Sequence, residues 1–303
     1  MESKYLECPV GRGDRIINRF VKLALLARGS RKLFSSRENA AEYIEKAGKE
    51  PYSLELGGKY PCRVSKETVC GLECAVFEPF EGKGEIRVLF FHGGAYVRRM
   101  TKHHIKVLAS LCAKSGARII APCYPTAPQY TFSKSIDKLA ALYGCLCADG
   151  KRTVLSGDSC GAAIAVCLQG EIKKRDLSEC EKLVLFSPLL SHDIGDAETA
   201  KLAFSDPMFG GTEGLHAFVD VWSGGNTLAD PFNTDFSALV PTYIFTSSGD
   251  MLSAGCRRFF EKAVAANAEI AVESYDGMFH DYFLYPLPCS KALLKRVAEL
   301  INE

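Results

Sequence analysis

A serine lies between two glycines in the segment SGDSCGAA, residues 156–163, directly after the short apolar run RTVLS. A strand that turns sharply into a helix strains its central residue, and the residues two positions away must then be small. Gly157 and Gly161 meet that requirement around Ser159. The pattern predicts an exposed nucleophilic hydroxyl at a helix N-terminus, where the N–H of Cys160 can face a developing negative charge. By itself, the pattern also fits a plain glycine-flanked helix start.

A second segment, HGGAY at residues 92–96, follows the apolar run RVLFF. Gly93 and Gly94 carry no Cβ, so their N–H groups can approach a ligand oxygen closely and take φ angles that other residues avoid. A tight turn would use the same two glycines. A pair of glycines led by His92 directly after a buried strand favours an oxyanion hole, to which Gly93, Gly94 and Cys160 would donate.

An aspartate and a histidine follow two later apolar runs: Asp250 comes after TYIFTS and His280 after EIAVESY. Taken singly, Asp250 fits a helix N-cap and His280 a solvated loop residue. With Ser159 they give the chain order Ser, Asp, His, which is the order of the α/β-hydrolase triad. His280 is the candidate base because four further histidines lie in a predicted helix or in a long insertion. Those four are His103, His104, His192 and His216.

Short apolar runs alternate with helix-length segments from about residue 86 onward. This alternation predicts a mostly parallel central sheet flanked by helices on both faces, and the order Ser, Asp, His makes the α/β-hydrolase fold the expected one. Ligands bind such sheets beyond the carboxyl ends of the strands, so the candidate residues should share one edge. The stretch YPCRVSKETVCGLECAVFEP, residues 60–79, predicts antiparallel strands at a sheet edge. Residues 1 to about 55 predict helices without strand alternation.

About fifty residues with helical spacing and no convincing strand separate KLVLFSP from PTYIFTS. An insertion of this size is either a lid over a site or a decoration, and its position after the strand that follows the serine favours a lid. We therefore divide the chain into an N-terminal helical cap segment (1–55), a catalytic core (56–190 and 232–303) and a cap insertion (191–231).

Composition limits the partners of the protein. Lys+Arg number 37 and Asp+Glu 36, so there is no excess charge to attract nucleic acid or an anionic membrane. The 13 cysteines are scattered without a disulfide or zinc spacing, which predicts mostly free thiols, no metal and a cytoplasmic location. We expect no signal peptide and no stable membrane insertion, because no apolar run is long enough to span a bilayer. The run INRFVKLALLA fits a helix packed on the domain, or else one on a membrane surface.

The motifs together resemble the hormone-sensitive-lipase family of α/β-hydrolase serine esterases. FHGGAY, YPTAPQYTF, GDSCG, GDML and YDGMFHDY occur in the family's order, from about residue 86 to the C-terminus. The resemblance implies oxyanion donors at Gly93, Gly94 and Cys160, a supporting role for His92 in that loop, and a cap over the site. Three departures are Ala95 at the usual third glycine, SCGAA for SAGG, and YPT in place of YRL.

These residues lead to the hypothesis of a serine esterase that hydrolyses short-chain acyl esters without a cofactor. Ser159 would attack the ester, His280 would take its proton, and Asp250 would orient the imidazole. The alternatives are an amidase or formamidase with the same triad, or a ligand-binding protein that keeps the fold without the chemistry. The expected partner is a small-molecule ester, and a homodimer is possible. The Cys160 thiol is either a reactive group at a helix N-terminus or an inert buried one.

Overall fold

The structure, a computed structural model, describes residues 2–49, 54–81 and 84–303, where the chain forms nine strands and nine α-helices. Met1 and residues 50–53 of the predicted cap segment, and residues 82–83 of the predicted core, lie outside the described residues. The strands are β1 (Lys4–Cys8), β2 (Arg63–Val69), β3 (Leu72–Glu78), β4 (Ile86–Phe91), β5 (Arg118–Pro122), β6 (Arg152–Asp158), β7 (Lys182–Phe186), β8 (Thr242–Ser247) and β9 (Ile270–Tyr275). The α-helices are α1 (Arg12–Ala27), α2 (Arg37–Lys49), α3 (Lys102–Ser115), α4 (Phe132–Cys147), α5 (Cys160–Lys174), α6 (Ala197–Ser205), α7 (Glu213–Ser223), α8 (Ser253–Ala265) and α9 (Pro288–Asn302).

All nine strands form one sheet, in the order β1-β9-β8-β7-β6-β4-β5-β3-β2. The strands from β1 across to β5 pair in parallel, whereas β3 pairs antiparallel with both β5 and β2. The predicted α/β fold is confirmed, and the antiparallel strands lie at the edge that the sequence indicates.

Helices cover both faces of this sheet. Every residue of β4 is buried, and its side chains alternate between two apolar clusters: Leu89 and Phe91 belong to one, Val88 and Phe90 to the other. Strands of this kind read as continuous apolar runs because neither face meets solvent. The covered sheet is a rigid support, and the loops at its carboxyl edge carry the candidate residues.

The N-terminal strand β1 is a difference from the sequence prediction, which has only helices before residue 55. β1 extends the sheet beyond β9, with Lys4 opposite Ala271 and Cys8 opposite Tyr275. Its sequence, KYLEC, shows no apolar alternation, and no residue of the strand is fully buried. An edge strand of this type is defined by its partner rather than by its own residues.

The N-terminal residues and the insertion after β7 pack against each other. In the insertion, α6 and α7 are followed by three short 3₁₀ helices, without a strand in its described residues. Phe34, in the 3₁₀ helix Ser30–Phe34, contacts the rings of Phe209 and Phe218, with centroid separations of 5.0 and 5.6 Å. A Cβ at Gly214 would lie 2.5 Å from the Cα of Phe34, so the two segments approach at backbone distance.

Two of the thirteen cysteines are bonded. Cys70, in the turn between β2 and β3, forms a disulfide with Cys145 of α4, and the other eleven are free. Thus the thiols are mostly free, as expected. The disulfide joins two cysteine-rich segments, CGLEC at residues 70–74 and CLC at residues 145–147. Among the described residues, no helix combines the length and the apolar character needed to cross a bilayer.

Candidate active site

Ser159 lies at the junction of β6 and α5, at the carboxyl edge of the sheet. Its backbone has φ 52° and ψ −123°, a strained conformation for a residue with a side chain. The turn is fixed by the main chain, because the Ser159 N–H donates to the carbonyl of Phe186 at 2.9 Å. This sharp turn is the geometry that the sequence predicts around the serine.

The two glycines that flank the serine are required by close backbone packing. A Cβ at Gly157 would lie 2.6 Å from the carbonyl oxygen of Phe91, and a Cβ at Gly161 only 2.1 Å from the same atom. Real side chains essentially never come this close. The small residues therefore allow β6, α5 and the end of β4 to meet, which brings the serine next to the HGGAY loop.

The loops after β8 and β9 bring Asp250 and His280 to Ser159. His280 Nε2 lies 3.0 Å from Ser159 Oγ, and its Nδ1 lies 3.1 Å from both carboxylate oxygens of Asp250. All three side chains are buried. Asp250 also accepts the N–H of Leu252 at 2.8 Å, so it stabilises the turn before α8 as well as facing the imidazole. The three residues singled out by chain order thus form a series of hydrogen bonds from Ser159 through His280 to Asp250.

The HGGAY loop places Gly93 beside the serine. A Cβ at Gly93 would lie 3.0 Å from the Cβ of Ser159 and 2.3 Å from Asp158 Oδ2. Among the described residues, no hydrogen-bond acceptor is found for the N–H of Gly93 or Gly94. The N–H of Cys160, the first residue of α5, has no partner within its helix. Within the described part of the chain, the geometry thus records no partner for the three amides that the sequence predicts as oxyanion donors.

The ring of His92 is fully buried, and its Nδ1 lies 2.8 Å from the carbonyl oxygen of Gly93. It stacks on Tyr124 with 4.5 Å between ring centroids, and Tyr124 donates its hydroxyl to the His92 carbonyl at 2.7 Å. Burial, with the nearby His104, lowers the pKa of His92 to about 4, so the ring is neutral. The Ala127 N–H also bonds to the Tyr96 carbonyl at 3.0 Å, which holds the loop without the arginine that YPT lacks.

The Cys160 side chain is structural. It is fully buried, and its Sγ accepts the N–H of Tyr96 at 3.0 Å, so it ties the HGGAY loop to α5. Burial raises the pKa of this thiol to about 12, and the hydrogen bond from the Tyr96 N–H lowers it by less. A thiol with this pKa is a poor nucleophile at neutral pH. The structure therefore favours the inert alternative for Cys160.

Two buried aspartates that the sequence does not single out contact His280. Asp281 Oδ2 lies 3.2 Å from His280 Nε2, on the nitrogen that faces Ser159. Asp206, in the insertion, accepts the backbone N–H of His280 at 3.0 Å and that of Met208 at 2.8 Å. In the sequence, the feature that points to Asp281 as a site residue is its position directly after His280. Nothing in the sequence points to Asp206, because it contacts His280 only when the insertion packs on the core.

The charges around His280 set its protonation. Burial alone lowers the pKa of His280, but the carboxylates of Asp250 and Asp281 outweigh burial and raise it well above the usual range. Burial raises the pKa of Asp281 to about 6, with a further contribution from Asp158 and against the pull of His280. Asp206 is raised to a pKa of about 6 by burial and by Asp250.

A second histidine–carboxylate pair lies on the other side of the serine. His104 Nε2 is 3.2 Å from Asp158 Oδ2, and both side chains are buried. The charge of Asp158 more than offsets burial and raises the pKa of His104. His104 also caps α3 through Thr101, so its position is set by the helix start. His104 lies in α3, well before the late strands β8 and β9, so it does not fit the chain order Ser, Asp, His. Its ring also bonds Asp158 rather than Ser159.

A cavity of about 170 Å³ opens above Ser159 and His280. Its apolar wall comes from the N-terminal segment and the insertion: Phe34, Met208, Phe209 and Leu215. Phe209 also packs against the His280 ring, with 4.9 Å between centroids. No cluster of three or more His, Cys, Asp or Glu side chains within 2–49, 54–81 and 84–303 is arranged to hold a metal ion.

With this geometry in view, comparison with known proteins defines the family. A model described as the alpha/beta hydrolase fold matches residues 88–284, and the chain belongs to this family. An esterase of Acinetobacter venetianus is 27% identical over 222 residues, which cover 70% of this chain and 73% of that protein. The hormone-sensitive lipase of Ictidomys tridecemlineatus is 25% identical over 159 residues, half of this chain and 21% of that one.

A solved structure shares the fold over nearly the whole chain. An esterase from the bacterial hormone-sensitive lipase family superimposes with a TM-score of 0.79 and covers 94% of this chain and 96% of its own, at 21% identity. The predicted resemblance to hormone-sensitive-lipase-type α/β-hydrolases is confirmed.

Proposed function

We propose that this protein is a carboxylester hydrolase that cleaves short-chain acyl esters with Ser159, His280 and Asp250. The observation that carries the proposal is the continuous bonded chain of Ser159 Oγ, His280 Nε2 and Nδ1, and the Asp250 carboxylate, with separations of 3.0 and 3.1 Å. The family and the esterases among its relatives support the same reaction class. We assign Gly93, Gly94 and Cys160 as the oxyanion donors and His92 as the residue that supports their loop.

In the proposed reaction, Ser159 Oγ attacks the ester carbonyl carbon while His280 Nε2 takes the hydroxyl proton. The carbonyl oxygen becomes an oxyanion and accepts hydrogen bonds from the backbone N–H groups of Gly93, Gly94 and Cys160. His280 then passes its proton to the departing alkoxide, which leaves an acyl group on Ser159. Water then attacks the acyl-enzyme while His280 takes the proton of the water. His280 passes this proton to Ser159 Oγ, and the carboxylic acid is released. Asp250 holds Nδ1 protonated throughout.

The size and lining of the cavity support short acyl chains. Pockets for drug-sized ligands hold about 300–1,000 Å³, whereas the space above Ser159 holds about 170 Å³. The aromatic rings of Phe34 and Phe209 close its apolar side. We propose that residues of the segments 1–55 and 191–231 act as the cap over the core segments 56–190 and 232–303, since both supply wall residues. Eleven free cysteines, beside one disulfide, support a cytoplasmic location.

A series of p-nitrophenyl esters from acetate to decanoate tests this function. We expect kcat/KM to be highest for the short acyl chains and to fall as the chain outgrows the cavity, because longer chains must displace Phe34 or Phe209. The Ser159→Ala protein serves as the background for each ester. A kcat/KM that rises steadily to decanoate would contradict the short-chain assignment, and hydrolysis equal to the Ser159→Ala background would contradict the esterase itself.

The acid limb of the pH profile should depend on Asp281. The base must be neutral at Nε2 to take a proton, so kcat/KM should decline as pH falls through the raised pKa of His280, above the ordinary value of about 6.5. The Asp281→Asn change removes a negative charge that raises this pKa. The pKa of His280 then falls, the imidazole stays neutral to lower pH, and the acid limb should move toward lower pH.

A matched control exists for this change. Asp281 has φ 54°, a left-handed conformation that asparagine tolerates. Asp176 has the same φ of 54°, is exposed, and follows α5 at a point remote from the cavity. Asp176→Asn should leave the acid limb where it is. An acid limb that stays fixed in Asp281→Asn would show that this carboxylate does not act on the base.

A further inference from the structure

Helix α1 is turned with its apolar face to solvent. The side chains that face the domain are largely polar: Asp14 and Asn18 are buried together with Leu25. Five other large apolar residues of the helix are exposed, and Phe20 and Leu23 among them are 68% and 54% accessible. We call these exposed residues the α1 apolar face: Ile16, Ile17, Phe20, Leu23 and Leu26. This inverts the arrangement of an ordinary surface helix, whose apolar stripe packs on the core.

Polar contacts, together with the packing of Leu25 and Val21 on the core, hold the helix in this orientation. The Asp14 carboxylate accepts the N–H of Cys289 at 2.7 Å. The Asn18 amide and the Lys22 ammonium both donate to the carbonyl of Gly277, at 2.9 and 3.0 Å. Because buried polar groups require their partners, these bonds fix which side of α1 faces the domain. The apolar face is therefore presented outward as part of the folded structure.

Positive charge borders the α1 apolar face. Residues 12–32 contain seven Lys and Arg but a single carboxylate, Asp14, which is buried. On the helix itself, Arg12, Arg15 and Arg19 are exposed along one flank. Asp276, at the end of β9, is the acid that packs nearest, with 3.7 Å between its carboxylate and Arg15 in an exposed pair. A helix with an exposed apolar face and a basic flank is suited to the surface of an anionic bilayer.

The end of α1 also leads to the active site. Leu25, Arg28 and Lys32 line a second cavity of about 530 Å³. This cavity and the one above Ser159 share four wall residues: Phe34, Arg98, Met208 and Tyr285. A surface that covers the α1 apolar face would thus lie beside an approach to the catalytic cavity.

We propose that α1 is a docking surface for anionic lipid bilayers, with the α1 apolar face inserted among the headgroups and the arginine flank bound to lipid phosphates. A second copy of the chain is the less suitable occupant. A two-fold interface on this face would bring Arg12, Arg15 and Arg19 of both copies together without exposed carboxylates on the helix to balance them. An anionic bilayer supplies that counter-charge.

Co-sedimentation with vesicles tests the proposal without catalysis, and the Ser159→Ala protein can be used beside the parent. The lipids are phosphatidylcholine alone and phosphatidylcholine mixed with phosphatidylglycerol. We expect binding to the mixed vesicles that weakens in high salt. Phe20→Ser with Leu23→Ser should lower the partition coefficient by at least about tenfold. On the anionic vesicles, Arg15→Gln with Arg19→Gln should lower the partition coefficient about fivefold for each arginine replaced.

Phe80→Ser is the matched control, since Phe80 is 64% exposed and lies after β3, outside the helix. This variant should bind vesicles like the parent. The side chains changed at Arg15, Arg19, Phe20, Leu23 and Phe80 are exposed, so hydrolysis of p-nitrophenyl acetate should be unaltered in these surface variants, which checks their folding. Absence of binding to anionic vesicles, or binding that the Phe20 and Leu23 changes leave intact, would overturn the proposal. So would a dimer in sedimentation velocity that those changes dissociate without any vesicle binding.

Discussion

Ser159→Ala is expected to lower kcat on p-nitrophenyl acetate by about 10⁴- to 10⁶-fold. In the proposed mechanism this hydroxyl forms the acyl-enzyme, with His280 Nε2 at 3.0 Å to receive its proton. Residual turnover above the rate in water should persist, because the amides of Gly93, Gly94 and Cys160 remain to bind an oxyanion. Steady-state kinetics at saturating substrate measure the loss.

Stability and labelling separate lost chemistry from lost folding. Ser159 holds a positive φ of 52° that alanine must also adopt, so thermal unfolding should accompany the kinetics. Ser205→Ala, an exposed serine at the end of α6, should keep the parental rate. A fluorophosphonate should add one phosphonyl group to the parent and none to Ser159→Ala. Full activity in Ser159→Ala, or labelling at another residue, would remove this serine from the mechanism.

The sequence predicts the central fold well because each strand there is specified by its own residues. β4 and β6 are runs that are buried almost throughout, and such runs are recognisable without their partners. β1 is different. Its strand conformation depends on pairing with β9, some 260 residues further along the chain, and KYLEC carries no local pattern that reveals it. The information for an edge strand lies in its neighbour.

The same distinction applies to the site. Ser159, Asp250 and His280 follow strands of the core, so chain order and topology suffice to predict that they meet. Asp206 could not be predicted in this way, because it contacts His280 only after the insertion packs against the core. Helical spacing identifies α1 as amphipathic but does not say which face is buried. The bonds of Asp14 and Asn18 to distant residues decide that, against the apolar pattern.

Asp250→Asn is expected to lower kcat by about 10⁴-fold while leaving the fold intact. The carboxylate accepts the Nδ1 proton of His280 at 3.1 Å, which leaves Nε2 free to take the proton of Ser159. An amide at this position can instead donate to Nδ1. The imidazole then carries its proton on Nε2, where it cannot accept one from the serine. Kinetics over a range of pH, with thermal unfolding as the check on structure, measure the effect.

Asp281→Asn provides the internal comparison, because it removes a carboxylate 3.2 Å from the opposite nitrogen of the same ring. In the proposed mechanism Asp250 fixes the tautomer of His280, whereas Asp281 contributes charge beside Nε2. The Asp250 change should therefore lower kcat at every pH, and the Asp281 change should mainly move the acid limb toward lower pH. Equal losses in the two variants would mean that both carboxylates act on the ring in the same way, and the assignment of Asp250 as the orienting member of the triad would then be wrong.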